Sequence, residues 1–258
     1  MISLSHVAGI LLAAASALAQ ASGAQVTAPP TLRPPPVTTP DAAVAARAMA
    51  LAQTTNSDAI IVGDEKSDAK AVKMATEVFG ANKDFQALEV EYPGISLELA
   101  RKMMPVINRS ARERLPVLWQ RQADFYSKHF SATELDTLNS FYQSPTGQKL
   151  IRSMIANIDP RAMVAEAKQS GDFKFGVDSA LTDIRATVPA ALKQMDDADK
   201  TVLGKLGRSG LMTKMHAIAP ETQAIAIAWM NESAPWEDAE LEKVIQEVLQ
   251  RRAKEKGK

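Results

Sequence analysis

The stretch Trp119-Gln-Arg-Gln-Ala-Asp-Phe-Tyr-Ser-Lys-His-Phe130, Ser131-Ala-Thr-Glu-Leu-Asp-Thr-Leu-Asn-Ser-Phe-Tyr-Gln143, Ser144-Pro-Thr-Gly-Gln-Lys149 decides the fold. It holds six of the chain's thirteen aromatics (Trp119, Phe125, Tyr126, Phe130, Phe141, Tyr142) and two helix starts. Ser131 and Glu134 have capping-box spacing: the Ser131 hydroxyl accepts from the Glu134 amide, and the Glu134 carboxylate accepts from the Ser131 amide. Ser144-Pro145 is the second start, with Ser as N-cap and Pro at the first helical position, where its missing N–H costs nothing. Leu135, Leu138, Phe141 and Tyr142 form one apolar stripe between the two starts; Leu150, Ile151, Met154, Ile155 and Ile158 form the next. Gly147, in the first turn, weakens its helix by up to ~1 kcal/mol relative to Ala, which implies close approach by the preceding helix. The spacing predicts short helices folded back on one another at two serine-led corners.

Phe130-Ser131-x-x-Glu134-Leu135-x-x-Leu138-x-x-Phe141-Tyr142-x-Ser144-Pro145-x-Gly147-x-Lys149 resembles the signature of the bacterial family called domain of unknown function 2059. The resemblance is strong there, weaker over Ile107 to Ala165 and absent elsewhere. It implies an exported, helix-rich protein, with Phe130, Ser131, Leu135, Leu138, Phe141, Ser144, Pro145 and Gly147 as structural positions. Because the family carries no assigned activity, the resemblance implies no chemistry.

Downstream, Asp159-Pro160 opens another helix over Met163 and Val164, and 168–178, with two Gly and the pair Phe173 and Phe175, is the best internal boundary. Beyond it a stripe from Val177 to Leu192 is expected to bend at Pro189. Asp196 and Asp199 resemble an acidic capping box, and Ser209 is expected to start a helix. An offset of 65 residues lays Phe130 on Met195, Trp119 on Ile184, Leu138 on Leu203, Phe141 on Leu206, Ser144 on Ser209 and Lys149 on Lys214. This reads as a degenerate second copy, with chance alignment of two helical hairpins as the alternative. Pro220 to Met230 reads as a further buried helix, and Ser233 starts the last, acidic at its head and basic at its tail.

Upstream, Pro105 and Pro116 predict kinks or short helices joined end to end. Ser96 is expected to cap the helix after the Tyr92-Pro93-Gly94 turn. Asp68 to Phe79 is helical and stopped by Gly80, Ile60-Ile61-Val62 reads as loop or extended, and Thr39-Pro40 starts the first helix. Residues 25–40 are a Pro-rich tether. Val7 to Ala19 is an apolar run followed by small residues at cleavage spacing, so residues 1–24 read as a secretory signal peptide, although Met1 to His6 carries no Lys or Arg. The run is shorter than the ~20 residues a membrane span needs. The organisation expected is a leader, a tether, a helical domain over 41–170 with the signature at 107–165, and a C-terminal helical region over 171–258.

The 258 residues include no Cys, and 30 basic side chains balance 30 acidic ones. That balance argues against a nucleic-acid binder, and the lack of Cys removes disulfides, thiol nucleophiles and thiolate metal sites. His129 and His216 have no ligand spacing, so neither a metal nor a cofactor is expected. The eleven Met, with Met103-Met104 adjacent, read as core filler. Arg109, Arg112, Arg114 and Arg121 read as a basic strip on a solvated face. Glu134 is the single weak catalytic candidate, because a Glu beside aromatics can be a general acid of raised pKa; its capping position explains it structurally. Glu134, Tyr142, Gln148 and Lys149 form the candidate binding surface. The sequence therefore supports an all-α bundle or array of helical hairpins, exported to the periplasm or secreted. It reads as a non-catalytic binding or interaction module for an envelope protein or small ligand. The alternatives are a cell-envelope glycan hydrolase using Glu134 and a carrier of a small apolar ligand.

Overall fold

The computed structural model describes residues 41–61, 65–170 and 174–257, and within these the side chains of all but 65–67. The leader-like run, the Pro-rich segment, the Thr39-Pro40 start, Val62 and Phe173 lie outside them. Among the described residues every regular element is a helix: α1 (Ala42–Thr55), α2 (Asp58–Ile61), α3 (Glu65–Ala81), α4 (Lys83–Glu91), α5 (Ile95–His129), α6 (Ala132–Gln143), α7 (Pro145–Asn157), α8 (Arg161–Ser170), α9 (Val177–Lys193), α10 (Asp197–Arg208), α11 (Leu211–Met230) and α12 (Glu237–Lys256). None is long and apolar enough to cross a membrane.

The axis of the array is α5, 35 residues or roughly 50 Å long. Ile95, Leu99, Met103, Ile107, Ala111, Leu115, Leu118, Gln122 and Tyr126 recur every three or four residues along its buried face, and α1, α3, α11 and α12 pack around it. Pro105 and Pro116 do not divide it. Both lie on its exposed face, so the carbonyls they free, on Arg101 and Arg112, also lie at exposed positions where water can hydrate them. Pro189 in α9 and Pro220 in α11 are exposed in the same way. One continuous α11 therefore replaces the separate helix expected from Pro220.

Other starts differ from the sequence reading. Asp41 caps α1, its carboxylate accepting from the Ala43 amide. Ile60 and Ile61 are buried in a helical turn rather than an extended piece. Gly80 lies inside α3, which runs on to Ala81. Ser96 is the second residue of α5, not its cap; Gly94 stands at the cap with φ +83°, and the Glu89 carboxylate accepts from the amides of Gly94 and Ser96. Ser209 ends α10, and Gly210, with φ +77°, leads into α11.

The boundary at 168–178 separates two helices that nonetheless cap each other. Glu166 on α8 accepts from the Gly176 amide and the Ser179 hydroxyl at the start of α9. Asp183 on α9 accepts from the Ala162 and Met163 amides at the start of α8, both at 2.9 Å. Each carboxylate thus satisfies helix-terminal donors of its neighbour, which fixes the α8–α9 pair as a unit.

Candidate functional site

The two serine-led corners form as the spacing requires. Ser131 and Glu134 make a reciprocal capping box; Ser144 accepts from the Gly147 amide with Pro145 at the first helical position. A Cβ on Gly147 would stand 2.1 Å from the Phe141 carbonyl oxygen and 2.8 Å from the Tyr142 Cα. The close approach implied by the sequence is therefore backbone against backbone, and only glycine fits. Phe130, Leu135, Leu138 and Phe141 are buried in the common core.

The binding surface expected around this corner loses Tyr142 to the core. Tyr142 is 1% exposed, because α6 turns it inward with Leu138, and burial pushes its phenol up. Gln148 donates to the Tyr142 carbonyl at 2.7 Å, tying the corner together. Lys149 and Glu134 pair elsewhere. Lys149 reaches the capping pair of α10, bonding Asp196 at 3.1 Å and Asp199 more closely. Lys214, which the 65-residue offset lays on Lys149, reaches back to Glu134 on α6 at 2.8 Å. Burial alone would raise the Glu134 carboxyl, but the bonds from Lys214 and from the Ser131 amide and hydroxyl hold it below the ordinary carboxylate range. A general acid needs the opposite shift.

The remaining candidates are likewise structural. Arg109 stacks on Trp236 and Arg112 pairs with Asp58. Arg114 bonds the Trp229 carbonyl and Arg121 pairs with Glu232. His129 stacks on Phe125 with ring centroids 4.2 Å apart, and burial lowers its pKa. Met103 and Met104 are core. Among the described residues no group of three or more His, Cys, Asp or Glu could hold a metal.

A concavity lies between α3 and α8. The two helices run side by side in the same direction: Lys70 Nζ bonds the Ala156 carbonyl at 2.9 Å near the head of α8, and two turns on Glu77 meets Lys168 at 3.5 Å. The trough between them has a volume of about 730 Å³, within the usual range for small-ligand sites. Met74, Ile158, Pro160 and Val164 make an apolar floor, and Lys70, Lys73, Arg161 and Lys168 stand at the rim with Glu77 and Asp159. A shallower groove of about 500 Å³ follows the other side of α3, where Leu97 and Arg101 of α5 face it; Lys73 and Glu77 line both.

Residues 118–170 match the model of the DUF2059 family, described as an uncharacterized protein conserved in bacteria. No curated protein and no solved structure matches the chain. The DUF2059 segment runs from the last part of α5 to the end of α8, so it contains both corners and one wall of the trough; the other wall, α3, lies outside it. That division explains why the sequence showed the corners and missed the trough. Asp159-Pro160 was legible as a helix start, but no local signal joins Lys73 on α3 to residues almost a hundred positions later.

Proposed function

We propose that the chain is an exported, non-catalytic binding module whose ligand lies in the trough between α3 and α8. The observation that carries this reading is the trough itself, an apolar floor under a rim of four cations and two carboxylates, with a volume in the range of small-ligand sites. Export is supported by the apolar run of residues 7–19, followed by small residues at cleavage spacing and a Pro-rich segment. The partly or wholly buried carboxylates Glu89, Glu134, Glu166, Asp183 and Asp199 hold helix-terminal amides, and a structural part of this kind is the better account of Glu134 than acid catalysis.

Ala165 lies on the trough wall and is exposed, so Ala165→Trp plugs the trough without disturbing the core. Native mass spectrometry of the protein from its own host should show a bound small molecule in the wild type and none in Ala165→Trp. A bare mass in both would overturn the trough as the binding site. For export, the mature chain should be recovered from the envelope or medium with an N-terminus between residues 20 and 25; an intact leader in the cytosol would overturn it.

A further inference from the structure

We infer that the trough takes a small anionic amphiphile, with its head at Lys73 and its apolar portion over Met74, Ile158 and Val164; this rests on the trough being the binding site. The rim carries more positive than negative charge, and its charges are not equally free. Arg161 is neutralised by Asp159 at 2.7 Å and Lys168 by Glu77, while Lys70 caps the carbonyl end of α7 through Ala156. Lys73 lies between them along α3, exposed and lining both grooves. Among the described residues it makes no hydrogen bond and no ion pair. It is the rim cation left to meet an anion.

The head of α8, which would otherwise attract an anion through its free amides and dipole, is already occupied. Asp183 takes the Ala162 and Met163 amides and is itself 4% exposed. A second carboxylate or phosphate there would face a buried acid, so the anion is directed away from α8 and onto Lys73. The trough runs from Lys70 to Glu77, two helical turns or roughly 10 Å, which suits a short alkyl or aryl portion rather than a two-chain lipid. Met74 is 9%, Ile158 4% and Val164 7% exposed, so what they offer is a narrow apolar base to an open groove.

The trough also marks the place where the two halves of the chain part company. α7 stops at Asn157 and turns through Asp159-Pro160 into α8. Under the 65-residue offset the same stretch of the second half falls on residues 222–226, where α11 runs on unbroken to Met230. The turn that opens the trough has no counterpart there.

The test is isothermal titration calorimetry of the full chain with three probes, each below any micelle-forming concentration: octyl phosphate, octyl glucoside and inorganic phosphate. Octyl phosphate is expected to bind saturably, with the other two at least about tenfold weaker, since either a charged contact or the apolar contact is lost. Lys73→Gln, a change at an exposed position, should weaken octyl phosphate about tenfold and leave octyl glucoside unchanged; Ala165→Trp should abolish binding. Equal affinity for octyl glucoside, equal affinity for inorganic phosphate, no effect of Lys73→Gln or no binding of octyl phosphate would each overturn the ligand class. If octyl glucoside binds and Ala165→Trp blocks it, the trough survives and only the anionic class falls. If Ala165→Trp alters no binding that is seen, the trough falls with it.

Discussion

The unit α6–α7 and the unit α10–α11 are built on one plan and finished differently. Each opens with a capping box, Ser131 with Glu134 and Asp196 with Asp199. Each sends a lysine, Lys149 or Lys214, onto the other's capping acid. α7 packs on α9, while α11 packs on both α5 and α9. When i of one unit meets j of the other and j meets i, the two lysine contacts are related as in a two-fold pair. The differences lie at the second corner and on the outer face. Ser144-Pro145 passes straight from α6 into α7 over Gly147, whereas the second unit inserts Gly210 in left-handed conformation between α10 and α11. And α1 lies over α6, while α10 lies chiefly on α11.

The two units differ most in energy at their corners. Gly147→Ala drives a methyl into the Phe141 carbonyl, a backbone neighbour that cannot swing aside. The expected loss is about 3 kcal/mol or more in urea unfolding. Gly210→Ala meets no atom within 4 Å and suffers only the left-handed strain, about 1 kcal/mol. Equal losses would show that the first corner can relax, and that its glycine is not a matter of space.

A smaller difference follows from the cover that α1 supplies. Leu138 is 0% exposed, between α6 and α1, where Asn139 also donates to the Arg47 carbonyl; its counterpart Leu203 is only partly buried. Leu138→Ala should lose about 3 kcal/mol and Leu203→Ala about 1 kcal/mol, because a filled site loses both transfer energy and contacts while a half-open one lets water in. A Leu203→Ala loss as large as that of Leu138→Ala would mean that the outer face of α10 is covered too.

These contrasts indicate what local sequence could carry. Capping boxes, stripes and the Ser-Pro start are short-range, so the corners, the all-α class and Gly147's close approach were legible from residues within about ten positions of each other. Illegible were features set by distant neighbours. Pro105, Pro116, Pro189 and Pro220 stay inside helices because each lies on an exposed face, and which face that is depends on the helices packed opposite. The burial of Tyr142 was, by contrast, already implied by its place in the stripe with Leu138. Lys149 reads as a free surface cation until Asp196 and Asp199, some fifty residues on, are placed beside it. The trough fails for the same reason, since its two walls come from α3 and α8.

The smallest expected effect concerns the crossed lysines, and it separates the units by pH. Lys149 and Lys214 are similarly exposed, but the Asp199 side chain is 10% exposed and that of Glu134 30%. Asp199 also accepts from the Thr146 hydroxyl at 2.7 Å. The Lys149 ammonium and the Thr146 hydroxyl pull the Asp199 carboxyl down to about 2 from its ordinary 3.8. Because the folded value is the lower one, the contribution of Asp199 is complete above pH 3.8 and is lost as pH falls through 3.8 towards 2. Glu134 shifts in the same direction. Glu237 shifts in the other, since burial raises its carboxyl against the bonds from Ser110 and the Ala234 amide, so it gains stability on acidification and partly offsets them. Asp199→Asn should therefore flatten the fall in urea midpoint between pH 4 and pH 2 more than Glu134→Gln does. At pH 7 the coupling of Lys214 with Glu134 in a double-mutant cycle should not exceed about 1 kcal/mol, and that of Lys149 with Asp199 should be the larger. A steeper acid limb in Asp199→Asn than in the wild type would mean that Lys149 does not sit on the second unit's cap in solution, and the reciprocity of the two units would be lost with it.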